Sequence, residues 1–299
     1  MEDRVTQGRL LEGLRLFFGA ESTRQGILAR AALGSKAAES ELMRRLLGAL
    51  ETEIRADGTV GGAVVPTIWR VHELMDLGRG GDDPAVRLGM SWVLGLQGKP
   101  GAFGEGCDKP RHAQRICEHY VRGFFAPAPP EQRLAPITLP NGKVFRAEPA
   151  ARFAISCLAL RGALRTGHAD RAPVRQHLGS LVALADQWTG WTGFFAPDVI
   201  VAGMHAVALA GPEHQAVVER LVNLVVENQA PDGSWPNADP FHVLEALLAT
   251  RHPRVKAVIQ RALPGLAIRQ RADGTFGSPA QQERALIALR AVLWSEGSL

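Results

Sequence analysis

Hydrophobic residues recur along this chain at helical spacing, in runs set off by glycine turns. Val217, Leu221, Leu224 and Val225 mark one face of a helix over 213–229. Phe241, Leu244, Leu247 and Leu248 mark the helix that follows, and Leu286, Ile287, Leu289, Val292 and Leu293 mark another near the end of the chain. Strand-like alternation is nearly absent. The helical runs are of two kinds. Those over 153–160 and 202–210 are apolar and alanine-rich on almost every side, which predicts helices buried on most of their surface. Others keep a charged face, as at Glu39, Glu41, Arg44 and Arg45. Two concentric layers follow, with apolar helices inside and amphipathic helices outside.

A turn signal sets the period. Glycines at 58, 101, 142, 190, 233 and 274 stand in related settings such as Asp232-Gly233-Ser-Trp235 and Asp273-Gly274-Thr-Phe276. A fainter copy stands at Phe18-Gly19. Each unit reads helix, glycine turn, helix. Pairs that cannot bury their apolar faces alone must stack or close into a ring. The expected fold is therefore all-α: one (α/α)6 toroid over 1–299, with a seventh pair left open. Inner helices are expected near 64–77, 112–124, 150–164, 198–210, 240–250 and 280–293. A hairpin-like insertion interrupts the pattern near 127–149. Pro127, Pro129, Pro130, Pro136, Pro140 and Pro149 leave no room there for an outer helix. Residues 137–145 turn at Asn141-Gly142 and read as a short hairpin, either a plain connector or a flap over one mouth of the ring.

Composition narrows the class. The 299 residues are 46% hydrophobic and only 21% charged, enough for a large core. Net charge is +4 without a basic stripe, so no nucleic-acid partner is expected. Three cysteines give no disulfide framework, and the chain shows neither a secretory signal nor a membrane-spanning run. A cytoplasmic location follows as an expectation, with peripheral membrane contact and oligomeric state left open.

Gln229-Ala-Pro-Asp-Gly233-Ser-Trp235 fits a QxxxGxW repeat; Gln97 to Phe103 and Gln270 to Phe276 fit it with Phe in the last place. On these residues the chain resembles the squalene–hopene cyclase and protein prenyltransferase β-subunit superfamily over nearly its full length. The resemblance implies a toroid with a central apolar cavity for an isoprenoid chain. The motif itself reads as structural, with Gln holding neighbouring backbone, Gly permitting the turn and the aromatic packing beneath the next helix. Terpenoid cyclases of the second class protonate their substrate from a DxDD motif. The best-placed segment here keeps only Asp198, with Ile200 and Val201 in the later Asp positions. Prenyltransferase β-subunits bind zinc through Asp, Cys and His. Cys107, Cys117 and His119 are weak counterparts without the family spacing, and no metal or other cofactor is expected.

Asp198, Asp239 and His242 are accordingly the candidate catalytic residues, although Asp198 and Asp239 also suit simple helix capping. Trp69, Glu73, Phe153, Phe194, Phe195, His205 and Phe241 are candidate cavity residues on or beside the inner helices. Lys109, Arg111, His112 and Arg115 form a candidate diphosphate site near a helix start, or else a solvated basic face. The reading is an isoprenoid-binding toroid: a non-standard terpenoid cyclase or prenyl-processing enzyme acting on a linear polyprenyl substrate. The alternative is a non-catalytic carrier of a lipophilic ligand, or a protein-interaction module, on the same fold.

Overall fold

The computed structural model describes residues 2–35, 40–96, 104–107, 119–122, 134–191 and 197–298. Six helices in this set form an inner layer: α2 (Arg24–Ala32), α4 (Val64–Asp76), α6 (Glu148–Arg165), α8 (Asp198–Val207), α10 (Pro240–Thr250) and α12 (Gln281–Glu296). Six more lie outside: α1 (Glu2–Gly19), α3 (Ser40–Glu53), α5 (Pro84–Gly95), α7 (Ala172–Ala185), α9 (Gln215–Glu227) and α11 (Val255–Arg269). Inner helices α4, α6, α8, α10 and α12 pack in sequence order, and α12 returns to α2 while α11 meets α1. Six helix pairs close the ring, an all-α toroid.

The burial pattern explains the layering. Nearly every residue of α8 and most of α6 and α12 are buried, whereas α9 buries only the stripe Val218, Leu221, Val222, Leu224 and Val225. Local capping sets several starts. Asp83 accepts from the Ala85 and Val86 amides ahead of α5, and Asp239 accepts from the Phe241 and His242 amides ahead of α10. Proline follows each of these acids, where its missing N–H costs nothing.

The glycine turns are tight for a steric reason. Gly233 and Gly274 have φ of +79° and +82°, and a Cβ would lie 1.9 Å from the Arg261 carbonyl oxygen and 2.3 Å from that of Gly13. Each turn is thus pressed against the backbone of the next outer helix. Gln229 Nε2 donates to the Gly233 and Val258 carbonyls at 3.0 and 2.9 Å, stitching α9 to α11. Gln270 repeats this between the Gly274 and Leu10 carbonyls, stitching α11 to α1. Buried Trp235 donates its indole N–H to the Val225 carbonyl at 3.0 Å. Trp235→Ala should therefore cost about 3–5 kcal/mol of unfolding free energy in urea melts, as large-to-small core changes do.

One expectation needs correcting. The inner helix expected over 112–124 cannot run its full span, because His119–Arg122 is a strand (β2) paired antiparallel with Gly104–Cys107 (β1); the rest of that span lies outside the described residues. The β-branched and aromatic pair Tyr120-Val121 suits a strand as well as a helix. The sixth inner helix is instead α2, only nine residues long and begun by Thr23, whose hydroxyl accepts from the Gly26 amide. The hairpin does form: Ile137–Thr138 (β3) pairs with Val144–Phe145 (β4) around Gly142 at φ +84°.

Candidate functional site

The helix pattern buries several charged side chains on the inner layer, and these meet inside the ring. Arg24 on α2 is 3% exposed. Its Nη1 lies 2.5 Å from Asp76 Oδ2, its Nε 3.4 Å from Glu73 Oε1, and its Nη2 bonds Glu283 Oε2. The guanidinium also sits 5.1 Å over the Trp69 ring. One cation thus serves three carboxylates from α4 and α12 and bridges the short α2 to both neighbours. Across the ring Arg165 reaches Asp76 at 2.6 Å, and Arg161 reaches Glu245 at 3.0 Å.

The carboxylates divide by environment. Burial pushes Asp76 up, but Arg165 and Arg24 outweigh it and hold the group below the usual range. Burial likewise raises Glu245, and Arg161, His242 and the Asn141 amide more than reverse it. For Glu73 and Glu283 burial wins. Both are raised despite Arg24, and a nearby Glu245 charge adds to the effect on Glu283. Both hydrogen bonds to Glu283 among the described residues, from Arg24 and from Gln25 at 3.1 Å, go to Oε2. Among the described residues these two glutamates are the acids whose pKa is raised.

Four buried histidines, His72, His177, His205 and His242, are shifted toward the neutral form. Arg165 Nη1 can only donate, so its 2.9 Å approach makes His72 Nδ1 an acceptor and leaves the ring proton on Nε2, facing the Leu158 carbonyl at 3.3 Å. Burial, then Arg161 and Arg165, lowers the His72 pKa to about 3. Burial also depresses His177, His205 and His242. Below about pH 6.5 the unfolded chain takes up protons on these rings that the folded chain refuses, down to about pH 3 for His72. Stability should fall as the pH drops through that window, by about 1.4 kcal/mol per pH unit for His72 alone. Urea midpoints measured at about pH 7.5, 6 and 5 check this; a level midpoint would show that the buried rings are hydrated.

A cavity of about 660 Å³ lies beside this network, within the size range of small-molecule sites. Trp69, Leu209, Leu248, Ile287 and Trp294 supply apolar wall. Asp76, Arg161, Arg165, Glu245, Glu283 and Arg290 supply charge, with Arg251 and His205 beside them. The expectation of an apolar cavity is therefore corrected: half of the wall is ionic. Asp76, Glu245 and Glu283 are each paired with an arginine from another helix.

The opposite ends of the inner helices are closed by the β3–β4 hairpin. Asn141, 3% exposed, donates to His242 Nδ1 at 3.1 Å and to Glu245 Oε2 at 2.6 Å. Lys143 lies 2.7 Å from Asp198, and Arg284 donates to the Asn141 carbonyl at 3.1 Å. The hairpin is thus seated across the starts of α8, α10 and α12, as the flap reading expects.

The sequence candidates fall unevenly around this geometry. Trp69 and His205 line the cavity, and Glu73 stands behind it on Arg24. Phe153 is buried against Trp188, and Phe241 packs between Phe276 and Arg284. Both belong to the ring wall and not to the cavity lining. Asp239 caps α10 and pairs with Arg284 at 2.9 Å; Asp198 is the first residue of α8, not its cap, and pairs with Lys143. Neither acid lines the cavity, and each is paired with a cation outside it. His242 is engaged by Asn141. Phe194, Phe195, Lys109, Arg111, His112, Arg115 and Cys117 lie outside the described residues. Cys107 and His119 are cross-strand partners in the β1–β2 register, and only their backbone is described. Among the described residues no three metal-ligating side chains converge. Arg24, Asp76, Glu245 and Glu283 were missed by sequence reasoning. Their signal was a charge set among apolar neighbours, as in Val243-Leu244-Glu245-Ala246-Leu247.

No family model matches this sequence, and no curated protein does. Solved structures do. A variant of the type II terpene cyclase MstE from Scytonema, in complex with merosterolic acid A (product), superposes with a TM-score of 0.59 at 13% identity, covering 100% of this chain and 99% of that one. A variant of the same enzyme in complex with geranylgeranyl dihydroxybenzoate (substrate) matches with a TM-score of 0.59 at 14% identity over 99% and 100% of the two chains. A protein from Actinoplanes matches with a TM-score of 0.56 at 15% identity over 98% and 99%. The chain has the fold of these cyclases. At such identities the likeness carries the fold alone, and chemistry must be argued from the cavity. No helix among the described residues is long and apolar enough to cross a membrane.

Proposed function

We propose that the protein is a terpenoid cyclase-like enzyme that binds a linear polyprenyl substrate in the central cavity and starts its conversion by protonation. The observation that carries this reading is a buried carboxyl with a raised pKa, Glu283, in the wall of a cavity that two tryptophans also line. Its structural neighbour MstE holds a geranylgeranyl substrate on the same fold, which supports the substrate class.

The chemistry suits the residues. A protonated Glu283 gives its proton to an alkene carbon, forming one C–H bond and leaving a tertiary carbocation and a carboxylate. Arg24 stabilises that carboxylate at once, so the acid is recharged in a site already built for the anion. Trp69 and Trp294 line the same cavity and bring aromatic rings close to the cation. Ring closure moves the positive charge along the chain, and loss of a proton ends the reaction. His205, held neutral by burial, is positioned in the wall to accept it. Substrate and product are then isomers.

The test is incubation of the full-length protein with geranylgeraniol, its phosphate and shorter homologues, followed by mass spectrometry. A product isomeric with its substrate supports the reading. Tight binding with no conversion across the panel would instead make the protein a lipophilic-ligand carrier. Activity should decline as pH rises above the raised Glu283 pKa, because only the protonated acid acts.

A further inference from the structure

Charge pairing in the cavity wall is incomplete in one direction. Among the described residues, Asp76 is held by Arg24 and Arg165, Glu245 by Arg161, and Glu283 by Arg24. Every carboxylate lining the cavity has a guanidinium. Arg251 and Arg290 line the same cavity, yet neither makes an ion pair with any described residue. Arg290 is near enough to Asp76 and Glu283 to lower both, without bonding either. A third polar group is idle there: His205 Nδ1 is buried without a hydrogen-bond partner, 4.0 Å from Glu245. His205 is 5% exposed.

Arg251 carries a second mark. It ends α10 in the left-handed conformation, φ 49° and ψ 22°, where glycine is the usual residue. An arginine keeps this unfavourable backbone beside the cavity and spends its charge on no described residue. Arg251 is exposed at the rim of the cavity and Arg290 is half-buried in its wall. Donors placed there without a described ion-pair partner are free to meet an anion that the ligand brings.

We infer that Arg251 and Arg290 form the recognition site for an anionic head group, a phosphate or carboxylate, on a molecule whose apolar chain lies along Trp294, Leu248, Leu209 and Ile287. Arginine suits this task because its fork of donors meets either anion with two bonds. This inference rests on the prenyl reading of the cavity and gives it a substrate class: an isoprenoid ending in an acid, and not a hydrocarbon or an alcohol. The head lies toward the C-terminal ends of α10 and α12, away from the hairpin, which orients the chain in the ring.

The test uses the full-length protein and four probes: geranylgeranyl phosphate, geranylgeranoic acid, geranylgeraniol and inorganic phosphate. Binding is read by quenching of tryptophan fluorescence and by calorimetry at low salt. The two acids should bind at least about tenfold more tightly than the alcohol, and the gap should narrow as salt is raised. Arg290→Gln and Arg251→Gln should each weaken the acids by about ten- to a hundredfold, leaving the alcohol and the thermal melt unchanged. Equal affinity for acid and alcohol would overturn the inference. So would variants that weaken both alike, or inorganic phosphate binding as tightly as its prenyl ester. Head-group preference without conversion would remove only the enzymatic reading, and conversion of the alcohol without such preference would remove only this one.

Discussion

Glu283→Gln is expected to lower conversion of a polyprenyl substrate by about 10²–10⁴-fold, the contribution of a positioned general acid. The substitution keeps the shape of the side chain and leaves a carbonyl oxygen for the Arg24 and Gln25 donors that now meet Oε2. It removes the transferable proton and nothing else in the wall. Binding, followed by quenching of the cavity tryptophans, should therefore stay within a few-fold of the parent. Glu73→Gln is the internal control. Glu73 shares Arg24 and is also raised by burial, but it does not line the cavity, so it should affect conversion far less. Full activity in Glu283→Gln would move the acid elsewhere and sink the proposed mechanism.

Arg24→Ala should be among the most damaging changes in the molecule, costing about 3–5 kcal/mol of unfolding free energy. The loss comes from what remains. Half-buried Glu73 and Asp76 and buried Glu283 stay around the vacated space; Arg70 still holds Glu73 and Arg165 still holds Asp76, but Glu283 loses its ion-pair partner among the described residues. Arg24→Lys should recover little, because an ammonium cannot reach three carboxylates that a guanidinium touches through separate nitrogens. The deficit should shrink as the pH falls. Without Arg24 the raised glutamates take up protons more readily, and a protonated carboxyl tolerates burial. Urea melts of parent and variant at about pH 8 and 5.5 measure this. A deficit that is the same at both would mean that lost packing, and not stranded charge, is responsible.

Much of the ring was legible in the chain. The two hydrophobic patterns, one amphipathic and one nearly all apolar, separate outer from inner helices without reference to any contact. Inner helices α4, α6, α8, α10 and α12 lie within a few residues of their expected spans. Asp83-Pro84 and Asp239-Pro240 mark helix starts through bonds that reach only two or three residues ahead. Asn141-Gly142 marks the hairpin because the turn requires a positive φ that glycine accepts. Gln229, Gly233 and Trp235 are structural for reasons equally close at hand, since the turn they form is eleven residues or fewer from the groups that define it, apart from the stitch to α11. The helix α2 was less visible: nine residues supply barely two and a half turns of pattern, and it opens on the polar pair Arg24-Gln25.

The cavity was decided by the tertiary structure. Hydrophobic periodicity says which side of a helix is buried, but it treats a buried charge as an interruption and cannot say what neutralises it. Arg24 meets Glu283 across 259 residues of sequence, and Asn141 meets Glu245 across 104. Arg161 and Glu245 are 84 apart. Asp198 and Asp239, the acids that local motif logic selects, end beside Lys143 and Arg284 and away from the cavity. Sequence by itself determined the all-α ring, its period and its turns, because those follow from bonds and apolar stripes within each repeat. Which carboxyl is raised, which arginine is left unpaired and what the cavity can bind were set only when the ring closed. A charge takes its energy from every other charge within reach, and those lie on helices far apart in the chain.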